Sequence, residues 1–277
     1  MLTTLGVVLV IGAVSFIVAM MIQAFGSRII AEEIVLDTLP QPFDGFRVLF
    51  ITDIHRRRLP STKLSVLKGK VDVVLVGGDL TERNSPLQRL GDNMTLLASI
   101  APLYVVYGNH DYNAATVLID DIIRGKGGHV LLNEHVPLYR EDAAIWLTGV
   151  DYPHSGGKRP YASLPPLPDN TQSVFRLLLV HDPFWLALNS EVPADLVLAG
   201  HTHGGQIVLP LIGKRHVERF YRAYDAGMFQ WPQKGGGFAK VLISRGFGTS
   251  HLPLRWGSPA EMHIITLRRN PKQHASD

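Results

Sequence analysis

The sequence predicts an α/β domain behind one N-terminal transmembrane helix, with a mostly parallel buried sheet flanked by helices and a second, mixed sheet. Three observations predict it. No charged residue stands between Leu2 and Phe25. From Arg47 onward, strand-like and helix-like runs alternate. Acidic residues, histidines and an asparagine recur directly after the apolar β-like runs.

The uncharged stretch comes first. It exceeds the roughly 20 residues that a membrane-spanning helix needs. A cleavable signal peptide is the competing reading; it wants a basic n-region and an apolar run of roughly 7–15 residues, and this chain has neither. Ala24-Phe25-Gly26 is a weak cleavage-like site. We read residues 1–27 as an uncleaved single-pass anchor in the cell membrane. The first flanking basic residue, Arg28, follows the span, so the positive-inside rule weighs towards a cytoplasmic location for the domain that follows.

Residues 28–45 read as a connecting segment that ends in turn chemistry at Pro40, Pro42 and Asp44-Gly45. Residues 46–270 then form the soluble domain. Arg47–Thr52 and Val71–Val76 are continuous apolar and β-branched runs, as in strands buried on both faces. Ser61–Lys68 follows Pro60 as a short helix. Ser85–Ile100 reads as a helix with Asn84 as its cap and Pro86 in the first turn. Leu103–Tyr107 is the next strand, and Ala114–Arg124 a helix between Asn113 and Gly125. This β-α-β-α-β order argues a parallel sheet. Later strands at Ile145–Gly149, Phe175–Val180, Leu196–Ala199, Lys240–Ser244 and Met262–Leu267 have fewer helices between them, which argues the second sheet. Pro153 to Asn170 is a long loop rich in proline, glycine and serine, of the kind that often carries function. Residues 271–277 form a polar tail.

The 277-residue chain has no cysteine, which excludes disulfides and thiolate metal sites. Its net charge of +3 is modest. The basic clusters Arg56-Arg57-Arg58, Lys214-Arg215 and Arg268-Arg269 lack the density and interleaved aromatics of a nucleic-acid patch, so no specific nucleic-acid partner is expected. They read as solvated loops, or as surface suited to anionic lipid or phosphate.

The blocks after the strands carry the chemistry. They are Asp53-Ile54-His55, Gly77-Gly78-Asp79, Gly108-Asn109-His110-Asp111, His181-Asp182 and Gly200-His201-Thr202-His203, with a possible sixth at Arg245-Gly246-Phe247-Gly248-Thr249-Ser250. In open α/β sheets, ligands bind beyond the carboxyl ends of the strands. Carboxylates and an amide oxygen are hard donors, and imidazoles suit zinc, iron or manganese. A carboxylate such as that of Asp79 can bridge two cations ~3.5–4 Å apart, as two-metal hydrolases require. Taken singly, an aspartate at a strand end is more often a turn or helix cap. Two imidazoles one residue apart between glycines have little structural use, and the ordered set points to metal-assisted hydrolysis.

In this order the blocks resemble the calcineurin-like metallophosphoesterase superfamily, whose pattern is D-x-H, G-D, G-N-H-[DE], a lone H, then G-H-x-H. The resemblance covers residues 47–268, and Gly200–Ile207 with Arg245–Arg255 look like its membrane-anchored or exported bacterial branch. It implies a fold of two packed mixed sheets flanked by helices. It implies two divalent ions (Mn2+, Zn2+ or Fe2+), one held by Asp53, His55, Asp79 and His203, the other by Asp79, Asn109, His181 and His201, with Asp79 bridging. His110 is then the general acid rather than a ligand. The implied activity is hydrolysis of a phosphodiester, phosphomonoester or pyrophosphate by a hydroxide shared between the ions. The anchor favours a phosphorylated, lipid-linked or envelope substrate.

The chain departs from the family at Leu80-Thr81-Glu82-Arg83, where many members read V-D-R after the G-D. Glu82 is a candidate to orient His110; Arg83 and Arg245 are candidates to contact substrate. The alternatives are a catalytically weak, membrane-anchored binding module on the same fold, which predicts eroded ligands, and a metallo-β-lactamase-type hydrolase, which wants H-x-H-x-D-H. None of the seven ligand positions is eroded, and Asp-His does not follow His203 at the required spacing.

Overall fold

The computed structural model describes residues 1–153, 161–167, 175–209, 213 and 218–271. Lys214-Arg215, residues 272–277 of the tail and much of the loop from Pro153 to Asn170 lie outside the described residues.

In chain order the elements are α1 (Leu2–Phe25), β1 (Arg28–Leu36), β2 (Arg47–Ile51), α2 (Ser61–Leu64), β3 (Val73–Gly77), α3 (Leu87–Ala98), β4 (Leu103–Val106), α4 (Asn109–Tyr112), α5 (Thr116–Gly125), β5 (Gly128–Val130), β6 (Glu134–Arg140), β7 (Ala143–Val150), β8 (Arg176–Val180), α6 (Trp185–Leu188), β9 (Leu196–Ala199), α7 (Arg219–Ala223), β10 (Gly227–Pro232), β11 (Phe238–Ile243) and β12 (Glu261–Arg269). Two six-stranded sheets result, ordered β1-β12-β2-β3-β4-β5 and β10-β11-β9-β8-β7-β6. Both are mixed. The inner pairs β2–β3, β3–β4, β7–β8 and β8–β9 are parallel, while β12–β2, β6–β7 and β10–β11 are antiparallel.

The continuous apolar runs follow from burial on both faces. In β2, Val48 and Phe50 enter the core between the sheets, packed with Leu75, Leu177, Leu179 and Leu198. The alternate residues Leu49 and Ile51 enter a second core with Leu90, Met94 and Leu97 of α3 and Ile119 and Ile123 of α5. Likewise in β8, Leu178 and Val180 face away from the inter-sheet core towards Trp185 and Leu186. This period-2 division fixes which strand ends emerge side by side.

The expectation of a connecting segment over residues 28–45 is corrected. Its first half is the edge strand β1, paired in parallel with β12 from Arg28↔Glu261 to Leu36↔Arg269. The consecutive charges Glu32 and Glu33 hide the alternation in the sequence. They are cross-strand partners: Glu32 Oε1 lies 3.0 Å from His263 Nδ1, and Glu33 Oε1 accepts from Arg268 Nη2 at 2.8 Å. The short strands β5, β6 and β10 carry too little apolar pattern to be legible. Asn84 and Asn113 are not the N-caps of α3 and α5; Pro86 and Ala115 occupy those positions, and Asn113 ends α4 instead.

Among the described residues one helix, over Thr3–Phe25, is long and apolar enough to cross a membrane. Its outer two-thirds is solvent-exposed all round, whereas Met20 and Ala24 near its end are buried.

Candidate metal centre

The carboxyl ends of β2, β3 and β4 in one sheet and of β8 and β9 in the other converge at one edge of the sandwich. Asp53, Asp79, Asn109, His181 and His201 each stand one to three residues past those ends. Asp53, His55, Asp79, His201 and His203 all have positive φ, between 51° and 70°. For non-glycine residues this costs of order 1–3 kcal/mol each. The strain is held by cross-loop hydrogen bonds: Asp53 N donates to Gly78 O, and His55 N to Asp79 O, both at 3.0 Å.

Two glycines keep the site open. At Gly108 a Cβ would stand 2.2 Å from Asp79 Oδ1; at Gly78, where φ is +89°, it would stand 2.5 Å from His181 Nδ1. No side chain fits at either position.

All seven predicted ligands are brought together. His55 Nε2 lies 3.2 Å from His203 Nε2, and His203 Nε2 lies 3.4 Å from Asp53 Oδ1. On the other side His201 Nδ1 lies 3.1 Å from Asn109 Oδ1 and 3.2 Å from His181 Nε2. Asp79 stands between the groups: its Oδ2 is 3.6 Å from His55 Nε2 and 3.4 Å from His181 Nε2. Donor atoms sharing an ion at 2.0–2.1 Å sit roughly 3.0–3.4 Å apart, so these separations fit ligand edges about two cations. Asp53 Oδ1 is buried and has no hydrogen-bond partner, a costly state for a carboxylate that a cation would relieve. The donor set and this orphaned oxygen fit divalent ions. Asp53, Asp79 and His181 form one cluster able to hold an ion; Asp53, His55 and His203 form another; His55, Asp79 and His110 form a third.

The electrostatics follow from burial among these charges. Burial opposes ionisation of Asp79, but His181 and His55 outweigh it and hold the carboxyl far below its usual range. Burial likewise opposes charge on His181, yet Asp79 raises it to about 10. Its Nδ1 donates to Gly77 O at 2.8 Å, which leaves Nε2 facing the centre. Burial and Arg255 hold His203 neutral, well below its ordinary value. Burial, then the charge of Asp79, pushes Asp111 up to about 7. Asp111 accepts backbone hydrogens from Gly108, Leu80 and Thr81 at 2.9, 3.3 and 3.1 Å, tying the second and third blocks together.

His110 is partly buried, edge-on to His55 with ring centroids 4.8 Å apart. Its backbone N–H donates to Asp79 Oδ1 at 2.9 Å. Glu82 is nearer to His55 than to His110, 3.3 Å against 4.0 Å to Nδ1. The expectation that Glu82 orients His110 is thus corrected in part: its closer partners are His55 and Arg56.

Arg83 is exposed beside this group. Arg245 is turned away from the centre, with its Nη1 3.1 Å from Glu261 Oε2. The Arg245–Ser250 block supplies no metal donor. It backs the first block instead: Phe247 N donates to Thr52 O at 2.9 Å and Gly248 N to Asp53 O. The reading of Arg56-Arg57-Arg58 as a solvated loop is corrected at its middle member. The Arg57 guanidinium lies 3.7 Å from the centroid of the Phe247 ring and donates into the end of α1.

Sequence reasoning missed three contributors. Tyr152 and Tyr221 flank His201, with ring centroids 6.3 and 5.8 Å away. Arg255 is completely buried; its guanidinium donates to carbonyls of Arg245, Gly248 and Ser258 and lies 3.0 Å from His203 Nδ1. Their signal in the sequence is nothing more than an aromatic or a cation between loops.

Residues 46–205 match the family model described as calcineurin-like phosphoesterase. The chain is 29% identical over 241 residues to the uncharacterized metallophosphoesterase YkuE of Bacillus subtilis, across 83% of this chain and 82% of that one. It is 30% identical over 234 residues to the phosphodiesterase YaeI of Escherichia coli, across 80% and 82%. A transmembrane protein with a metallophosphoesterase domain from Danio rerio is 28% identical over 288 residues, 94% of this chain and 62% of that one. Among solved structures, Thermus thermophilus sulfate thiohydrolase SoxB in complex with glycerol aligns at 13% identity and TM-score 0.49, across 83% of this chain and 57% of that one. The stretch that matches the family model contains all seven converging donors and His110, and the chain belongs to the calcineurin-like phosphoesterase family.

Proposed function

We propose that this metal-dependent phosphoester hydrolase works through two divalent ions that share Asp79, with His110 as general acid, at a membrane surface. The observation that carries the reading is the position of Asp79, whose Oδ2 lies within 3.6 Å of an imidazole nitrogen on either side. One carboxylate between two donor clusters is the arrangement a dinuclear centre needs. Asp53, His55 and His203 would complete one ion's shell; Asn109, His181 and His201 would complete the other's. Manganese, zinc and iron all suit these donors.

When bound, the ions supply a water of near-neutral pKa and neutralise charge on the phosphoryl oxygens. The chain's own residues do the rest. Asn109 and Asp79 hold the two clusters in register, because His110 N–H is bonded to Asp79 Oδ1. His110 gives its proton to the departing alkoxide oxygen, a contribution of typically 10²–10⁴-fold. Arg83, exposed beside Glu82, is available to a phosphoryl oxygen. Arg245 needs to leave Glu261 before it could act likewise.

The candidate span at Thr3–Phe25 supports a single-pass anchor. Arg28 as the first flanking cation weighs towards a cytoplasmic domain under the positive-inside rule. A site tethered to a bilayer favours a lipid-linked or envelope phosphoester over a soluble one.

The test is metal analysis and turnover of Asp79→Asn against a panel of phosphomonoester, phosphodiester and lipid-pyrophosphate substrates with Mn2+. The expected outcome is loss of bound metal together with activity. Retention of both would sink the assignment.

A further inference from the structure

α1 is seated in the catalytic domain rather than tethered to it. Its last turn would leave carbonyls without partners; here the domain supplies them. Met20 O accepts from Arg255 N at 3.2 Å and Gln23 O from Ala260 N at 3.0 Å. Ala24, Phe25 and Gly26 accept from the Arg57 guanidinium at 3.2, 2.8 and 2.8 Å. Lys63 Nζ donates to Ser27 Oγ at 2.8 Å. The orientation of the domain to the span is therefore set by direct bonds.

The contact extends along the helix. Trp256 packs on Phe16 with ring centroids 4.5 Å apart. Phe16 is nine residues before Phe25, roughly 13 Å up the helix axis at 1.5 Å per residue. The segment from His251 to Trp256 thus climbs beside the span instead of stopping beneath it. Its surface is suited to that depth. Leu252 is 57% exposed, His251 and Pro253 are exposed, and no acidic residue or lysine occurs from Phe247 to Ala260. The one arginine there, Arg255, points inward. An exposed leucine and proline with a tryptophan beside a hydrophobic span make the composition that partitions into the headgroup layer.

The same segment touches the metal centre. Arg255 bonds α1 through its backbone N–H, and its guanidinium lies 3.0 Å from His203 Nδ1. One residue spans the distance from anchor helix to metal ligand.

We propose that the segment Ser250–Gly257 is a membrane-contacting rim, continuous with α1, which seats in the lipid headgroup layer beside the metal centre. The phosphoester offered to the centre is then that of an amphiphile resident in the same leaflet. The choice of substrate rests on the phosphoesterase reading above, whereas the rim itself does not. The occupant is the bilayer: the surface is continuous with the candidate span and carries no charge to pair with a protein partner.

Two measurements on the full chain in phosphatidylglycerol–phosphatidylethanolamine vesicles test it. The first is quenching of tryptophan emission by phospholipids brominated near the headgroup. The chain has four tryptophans, so Trp256→Phe isolates the signal; loss of the quenched component in that variant is expected. The second compares Leu252→Glu with the parent on a vesicle-embedded lipid phosphodiester and on water-soluble bis(p-nitrophenyl) phosphate. The loss should be about tenfold or more on the lipid, with unchanged turnover of the soluble ester. Quenching unaffected by Trp256→Phe would overturn the rim, as would equal effects of Leu252→Glu on both substrates. Cross-linking of two chains through Leu252→Cys, without quenching, would assign the surface to a second copy and also overturn it. Absence of any turnover by the parent chain would count against the phosphoesterase reading while leaving the quenching result to decide the rim.

Discussion

The guanidinium of Arg255 lies 3.0 Å from Nδ1 of His203, and it does so from complete burial. Burial lowers its pKa to about 10, so it remains charged at neutral pH. A cation next to a candidate metal ligand would oppose metal binding electrostatically. The carbonyls it satisfies offset that cost and pin the loop behind Asp53 and His203.

Replacing Arg255 with methionine should therefore cost stability before anything else. Several buried carbonyls lose their donor, each at ~1–3 kcal/mol. We expect a lowered thermal midpoint that excess metal restores only in part, measured by calorimetry with and without Mn2+. Unchanged midpoints in both conditions would contradict the role.

Glu82 presents its Oε2 3.3 Å from His55 Nδ1. Carboxylates behind ligating histidines are typically worth 10–100-fold in metal affinity. Glu82→Gln should weaken Mn2+ binding by about that factor, read by titration calorimetry. A loss of rate with unaltered affinity would instead return Glu82 to His110.

His110→Ala should keep both ions and lose about 10²–10⁴-fold in kcat on an alkyl phosphoester. An aryl ester with an acidic leaving group needs less protonation and should lose much less. Equal losses on the two esters, or loss of bound metal, would show that His110 is not the acid.

Metal uptake should depend on pH with a definite sign. His181 is held protonated, with its value raised to about 10 by Asp79 against the opposing effect of burial. An incoming cation displaces that proton, so affinity rises with pH by about tenfold per unit per proton below that value. Calorimetry in buffers of different ionisation enthalpy should detect the released proton. For the metal-free protein the raised value means stabilisation that is complete below the unfolded value near 6.5 and lost as pH rises through about 10. Its thermal midpoint should fall over that window, and a rise there would contradict the His181–Asp79 pairing.

The donors were legible because they are local: each sits just past a strand whose apolar run is unmistakable, and Asp53, Asp79, Asn109, His181, His201 and His203 keep that order in the chain. The long apolar helix at the N-terminus, a candidate span, was legible for the same reason, since composition over some two dozen residues decides it. Side-chain partnership was not. Arg57 stands between two exposed arginines and is indistinguishable from them in the sequence, yet it alone turns back to Phe247 and the end of α1. Glu32 and Glu33 look like solvated linker residues until β12, more than 220 positions later, brings His263 and Arg268 beside them. By itself, the sequence determined which atoms can hold metal and that the strand ends present them, because both depend on residue type and short-range periodicity. The tertiary structure alone decided that Asp79 stands between the two clusters, that Arg255 braces His203, and that the end of α1 is built into the catalytic domain. Those depend on how two sheets and a helix end pack, which is set by contacts between residues far apart in the chain.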